Sequence, residues 1–91
     1  MAKYWVTMTD TFMSGWGRAE GKTNKYVVEC NSRKMAKQIY NAAKKRSEMK
    51  YVNICLNKPH YNPKTILTSW KKASELGELW TGGIEDKEES A

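Results

Sequence analysis

Gly17-Arg18-Ala19-Glu20-Gly21-Lys22-Thr23 holds the residue types of a loop that cradles phosphate on successive backbone N–H groups. The spacing fails. A Walker loop puts four residues between its glycines; here there are three, and the position that would need glycine is Trp16. The context fails as well, because such a loop opens a helix whose N-terminus faces the phosphate, and the residues after Thr23 alternate like a strand. Nucleotide hydrolysis is not expected. Cysteine chemistry has as little behind it. Cys30 and Cys55 fall on expected strands, and nothing in the spacing brings His60 to either one as a base, with Pro59 intervening. Zinc would want four soft or imidazole ligands with paired spacing, and three candidates without a Cys-x-x-Cys pair do not supply them. Paired carboxylates for acid–base work are missing from residues 1–74, since most of the acids lie beyond them. The reading is a protein without catalysis, cofactor or metal, with both thiols free.

What the chain does have is clustered positive charge. Residues 33–50 carry seven basic groups against Glu48 alone, and residues 51–74 add Lys58, Lys64, Lys71 and Lys72 with no acid. Residues 75–91 reverse this with six acids against Lys87. The overall charge of +6 therefore divides into a body near +11 and an acidic tail. Set at 100° per residue, Met35, Ala36, Ile39, Tyr40, Ala42, Ala43 and Met49 share one half of a helical wheel over Arg33–Met49. Arg33, Lys34, Lys37, Lys44 and Lys45 occupy the other half, so five cations could approach phosphates together and release counterions. Arg46 lands in the apolar half, which means either that the helix frays before it, or that its stem packs while its head reaches water, or that it makes a buried ion pair or ligand contact.

Aromatics lie beside cations along the sequence: Lys3-Tyr4-Trp5, Lys25-Tyr26, Lys50-Tyr51, His60-Tyr61 and Trp70-Lys71-Lys72. Aromatic platforms among positive charges suit unpaired bases. So small a domain needs most of its aromatics for the core, which leaves about three for binding, Trp16 and Tyr61 foremost because they sit in loops. The segment from Asp10 to Asn24 is long for a hairpin connection, and Phe12, Met13 and Trp16 on its glycine-rich backbone suit insertion into a pocket of a protein partner.

Thr7-Met8-Thr9-Asp10, Ser14-Gly15-Trp16-Gly17, Gly21-Lys22-Thr23-Asn24-Lys25 and Arg46-Ser47-Glu48-Met49-Lys50-Tyr51-Val52-Asn53-Ile54 together resemble segments of small uncharacterised bacteriophage and prophage proteins. The resemblance spans roughly residues 3–70 and carries no catalytic motif. It implies a setting in which small proteins bind host factors or nucleic acid, inhibitors of host defence among them.

The elements that must position these residues follow from periodicity. Lys3–Thr9 alternates as a strand with Tyr4, Val6 and Met8 on one face, and Tyr26–Cys30 is a second strand. Asn31 or Ser32 caps the helix Arg33–Met49. Tyr51–Asn57 is a third strand with Val52, Ile54 and Leu56 inward, and Thr65–Trp70 a fourth beyond a proline-bounded loop. Lys71–Leu79 forms a short second helix weakened by Gly77. The fold expected is α+β, a small ββαββ domain over residues 1–81. Its antiparallel or mixed sheet has one amphipathic helix packed on a face, and residues 82–91 form a disordered acidic tail. If the second and third strands are parallel neighbours, their crossover is right-handed. Mean hydropathy of −0.80 and the absence of a long apolar run argue against a membrane span, and Met1–Trp5 lacks a signal-peptide core, so the cytoplasm is the expected location, that of a host cell if the chain is phage-encoded.

The function these features favour is binding of nucleic acid or a nucleoprotein through Arg33, Lys34, Lys37, Lys44 and Lys45, with Trp16 and Tyr61 as loop aromatics. The alternative is an anti-defence inhibitor that binds a host protein through Phe12, Met13 and Trp16 and the sheet surface. DNA mimics are acidic, so the charge of the body argues against mimicry while leaving both readings, and DNA and RNA alike, open.

Overall fold

The computed structural model describes residues 3–11 and 21–87. Strands β1 (Tyr4–Asp10) and β2 (Thr23–Cys30) precede helix α1 (Arg33–Lys44). Strands β3 (Met49–Cys55) and β4 (Ile66–Lys72), a single 3-10 turn at Ala73–Glu75 and a short helix α2 (Glu78–Thr81) follow it. The four strands form one mixed sheet in the order β3-β1-β2-β4. β1 runs antiparallel to both β2 and β3, and β4 runs parallel to β2. The class is α+β. No helix of the described residues is long and apolar enough to cross a membrane.

Alternation along β1 and β2 decides what meets the helix. Val6, Met8, Val28 and Cys30 pack against Met35, Ala36, Ile39 and Ala43 of α1, and all eight are fully buried. Ser32 caps the helix, its Oγ accepting the Met35 N–H at 3.1 Å. The helix stops at Lys44, short of the expected Met49: the Lys45 N–H turns to the carbonyls of Ala43 and Asn41, and Met49 opens β3. Continuing would have put the Arg46 guanidinium against the sheet. Instead Arg46 lies in the turn, 4.3 Å from the Trp80 ring centre and 3.4 Å from Glu48.

β2 and β3 are not neighbours, since β1 lies between them and α1 crosses over it. Residues 56–65 then carry the chain from the β3 edge to the β4 edge across the face away from α1, where Tyr61 is hydrogen-bonded to the Thr7 side chain. Covering both faces explains why Thr7 and Thr9, at positions that a one-sided sheet would give to water, are buried. Lys25 Nζ donates to Thr9 Oγ1 at 2.6 Å there.

The expected inward face of β3 holds only in part. Val52 packs on the core, but Ile54 is 36% and Leu56 70% exposed. β3 is an edge strand, and the helix flank above it presents Arg33 and Lys37, leaving an open groove beside Tyr4, Ile54 and Leu56. The helix expected over residues 71–79 is also divided. β4 runs on to Lys72, and α2 begins only after Gly77. Gly82 ends α2 at φ +64, where a side chain would be strained and its Cβ would stand 3.0 Å from Gln38 Nε2.

Ile84 and Asp86, read from the sequence as part of the tail, lie against the domain. Ile84 packs on the core, and both Asp86 carboxylate oxygens accept the Asn31 N–H at 3.0 Å. The first turn of α1 contains no acid, so Asp86 brings to the helix N-terminus the negative charge that its dipole favours. Burial nonetheless raises the Asp86 pKa, outweighing the bonds from the Asn31 and Ser32 backbone and the nearby Lys3.

Candidate nucleic-acid interface

The structure presents two cationic surfaces on opposite sides of the sheet. The first is the solvent side of α1, where Arg33, Lys34, Lys37, Lys44 and Lys45 are all exposed. Lys34, Lys37 and Lys45 have no ion-pair partner among the described residues. Lys44 leans on Tyr40, 3.3 Å from its hydroxyl and 5.2 Å from its ring centre. This face can meet phosphates with little local charge to displace.

The second surface is the sheet face away from α1, and it begins with an irregularity. Thr7 pairs with Asn53 and Thr9 with Lys50, so Met8 alone faces Tyr51 and Val52. That extra residue is a β-bulge, and Tyr51 adopts φ 54 within it. A bulky side chain in the left-handed region is a strained choice that surrounding structure must hold. Asn53 Nδ2 donates to the Tyr51 carbonyl at 3.3 Å and supports it. The bulge leaves Tyr51 76% exposed, with Lys25 Nζ 5.9 Å from its ring centre. The same ammonium is 5.9 Å from the Tyr61 ring, so one cation borders two aromatics.

At the other edge Trp70 is 47% exposed, and Lys58, from the crossing loop, sits 5.1 Å from its ring centre. Between them Tyr61 and Trp70 line a cleft with Lys22 of about 380 Å³. The pairing of Lys25 with Thr68, Val27 with Trp70 and Glu29 with Lys72 puts Trp70 and Lys72 on this same face. Glu29, an acid on this face, is held by Lys3 at 3.7 Å.

Of the residues singled out from the sequence, Phe12, Met13 and Trp16 lie outside the described residues. Tyr61 is half-buried, and burial raises its pKa despite the bond to Thr7. It sits on the sheet face, apart from the five cations of α1. Tyr51, Lys25, Lys58 and Trp70 do not stand out as site residues in the sequence. The local signal points elsewhere, because Lys25 meets Tyr51 and not its neighbour Tyr26, and Lys58 meets a tryptophan of another strand. Tyr26 instead stacks on Trp80 beneath the helix, ring centres 5.9 Å apart.

Cys30 is fully buried, and burial pushes its thiol up to about 12, aided by Asp86 and Glu29. Cys55 is a half-buried free thiol. Among the described residues no three His, Cys, Asp or Glu side chains gather as metal ligands would. Comparison with protein-family models, with curated proteins and with solved structures returns no match.

Proposed function

We propose that this protein is a non-catalytic nucleic-acid-binding protein of the cytoplasm, drawn to its partner by the exposed cations of α1. The carrying observation is that Lys34, Lys37 and Lys45 stand exposed with no ion-pair partner among the described residues. Each phosphate such a group neutralises releases counterions and makes affinity salt-dependent. Fluorescence anisotropy with a labelled oligonucleotide over a salt series tests this on Lys37→Glu/Lys44→Glu. The variant should bind more weakly at low salt, with a log–log salt slope flatter by about one unit per lost phosphate contact. An unchanged slope and affinity in the folded variant would refute it.

The second reading is a phage-type inhibitor that binds a host protein through Phe12, Met13, Trp16 and the sheet surface; the groove that Arg33 and Lys37 border with the exposed Ile54 and Leu56 supports only its protein-binding part. Capture from lysate that survives nuclease treatment would favour it over the first.

A further inference from the structure

We infer that Tyr51 and Trp70, the exposed rings that flank the crossing loop on the side of the sheet opposite α1, are a stacking platform for the unpaired bases of single-stranded nucleic acid. This rests on the nucleic-acid reading and deepens it by naming the strand state and the second contact surface.

Four observations meet on this face. Tyr51 stands 76% exposed on a bulge whose backbone is strained, a conformation that glycine would hold more cheaply. Trp70 stands 47% exposed at the opposite edge. Both rings have an ammonium group within 6 Å, from Lys25 and Lys58 respectively, so backbone phosphates would find counter-charge beside each stacked base. The crossing loop adds Tyr61, bordering the same Lys25 and walling the cleft that reaches Trp70.

Spacing and charge select the occupant. Tyr51 and Trp70 lie on the two edge strands, three inter-strand steps apart, or roughly 14 Å. That span, with Tyr61 of the crossing loop between the two rings, suits a few nucleotides of an extended strand passing over the loop. A duplex keeps its bases stacked on one another and offers these rings nothing to stack on. A protein ligand would need carboxylates placed beside both rings to pair these ammonium groups, whereas a single strand carries a phosphate beside every base. The acid Glu29 on this face is already occupied by Lys3, so the field seen by an incoming phosphate is positive. The two surfaces thus have separate roles, α1 attracting the backbone and the sheet face distinguishing single strands from duplex.

The test measures binding of short oligothymidylate, oligouridylate and a duplex of equal length to the full chain. The variants are Tyr51→Ala, Tyr51→Phe, Trp70→Ala and the Lys37→Glu/Lys44→Glu reversal. The expected result is preference for single strands, and a loss of about tenfold or more in single-strand affinity for Tyr51→Ala and for Trp70→Ala. Duplex binding should stay unchanged in both, and Tyr51→Phe should restore single-strand binding because the ring is kept. Tyr51 is exposed enough that its alanine variant folds, so the platform can be judged on that position should Trp70→Ala lose its fold. Equal affinity of wild type and Tyr51→Ala for single strands, with binding lost only in the helix reversal, overturns the platform and leaves the nucleic-acid reading standing. Absence of binding to all three ligands overturns both. The two single-stranded arms report whether the 2′-hydroxyl contributes.

Discussion

Cys30 shows what burial does to a single ionisable group. The thiol is enclosed between sheet and helix, with Asp86 and Glu29 as its charged neighbours, and its pKa rises from 9.0 to about 12. A thiol raised on folding stabilises the domain fully below the unfolded value, where both states hold the proton. As pH climbs from about 9 toward 12 the unfolded chain ionises first, and stability falls by about 1.4 kcal/mol per pH unit. Denaturation of wild type and Cys30→Ala across this window should show the two stabilities converging. Lysine and tyrosine titrations are common to both proteins and cancel in the difference. A constant gap between the curves would show that Cys30 ionises alike in both states. Thiol labelling of the native protein should correspondingly modify Cys55 before Cys30.

At the scale of elements, β3 and α1 each carry a local departure with a definite cause. The α1 boundary is set by Arg46, whose head goes to Trp80 and Glu48 and not to the sheet. The β3 bulge sets Tyr51 at φ 54, a conformation that disfavours any residue with a Cβ by roughly 1–2 kcal/mol. Tyr51→Gly and Tyr51→Ala both lose the ring and its contact with Lys25, but only alanine keeps the backbone strain. Thermal unfolding should therefore find the glycine variant more stable than the alanine variant by about 1 kcal/mol. A glycine variant equal to or below alanine would mean that the bulge relaxes once the ring is gone. The comparison separates the strain of the element from the binding of the side chain.

The whole molecule is closed by its C-terminal segment. Trp80 joins Tyr26 of the sheet to Arg46 of the turn after α1, and Asp86 ties residues beyond α2 to the N-terminal end of α1. Asp86→Ala should lower stability by about 1 kcal/mol, since it strands the Asn31 N–H. Glu85→Ala should leave stability unchanged, because Glu85 is solvated and its ion pair among the described residues is a surface one with Lys87. Equal effects from the two in calorimetry would reduce the segment's contribution to general charge. The docking also keeps the Asp86 carboxylate near the end of the helix that carries Arg33 and Lys34.

The sequence by itself determined the elements whose signal is local. The alternation of Tyr4, Val6 and Met8, a cap at Asn31 or Ser32, which the structure gives to Ser32, and the split of α1 into an apolar and a cationic face all appear in the structure because each depends on side chains a few residues apart. Helix length, the exposure of Ile54 and Leu56, and the docking of Asp86 depended on neighbours far along the chain. The candidate site divides the same way. The five cations of α1 were legible from helical spacing, and Tyr61 from its loop. The meeting of Lys25 with Tyr51 and of Lys58 with Trp70 was not, because each joins separate elements. Two features of the tertiary arrangement made those contacts: a bulge that breaks the period of two, and a loop that crosses the sheet on the face away from the helix. Periodicity says which side of a strand a residue takes; only the packed order of strands and loops says what it meets there.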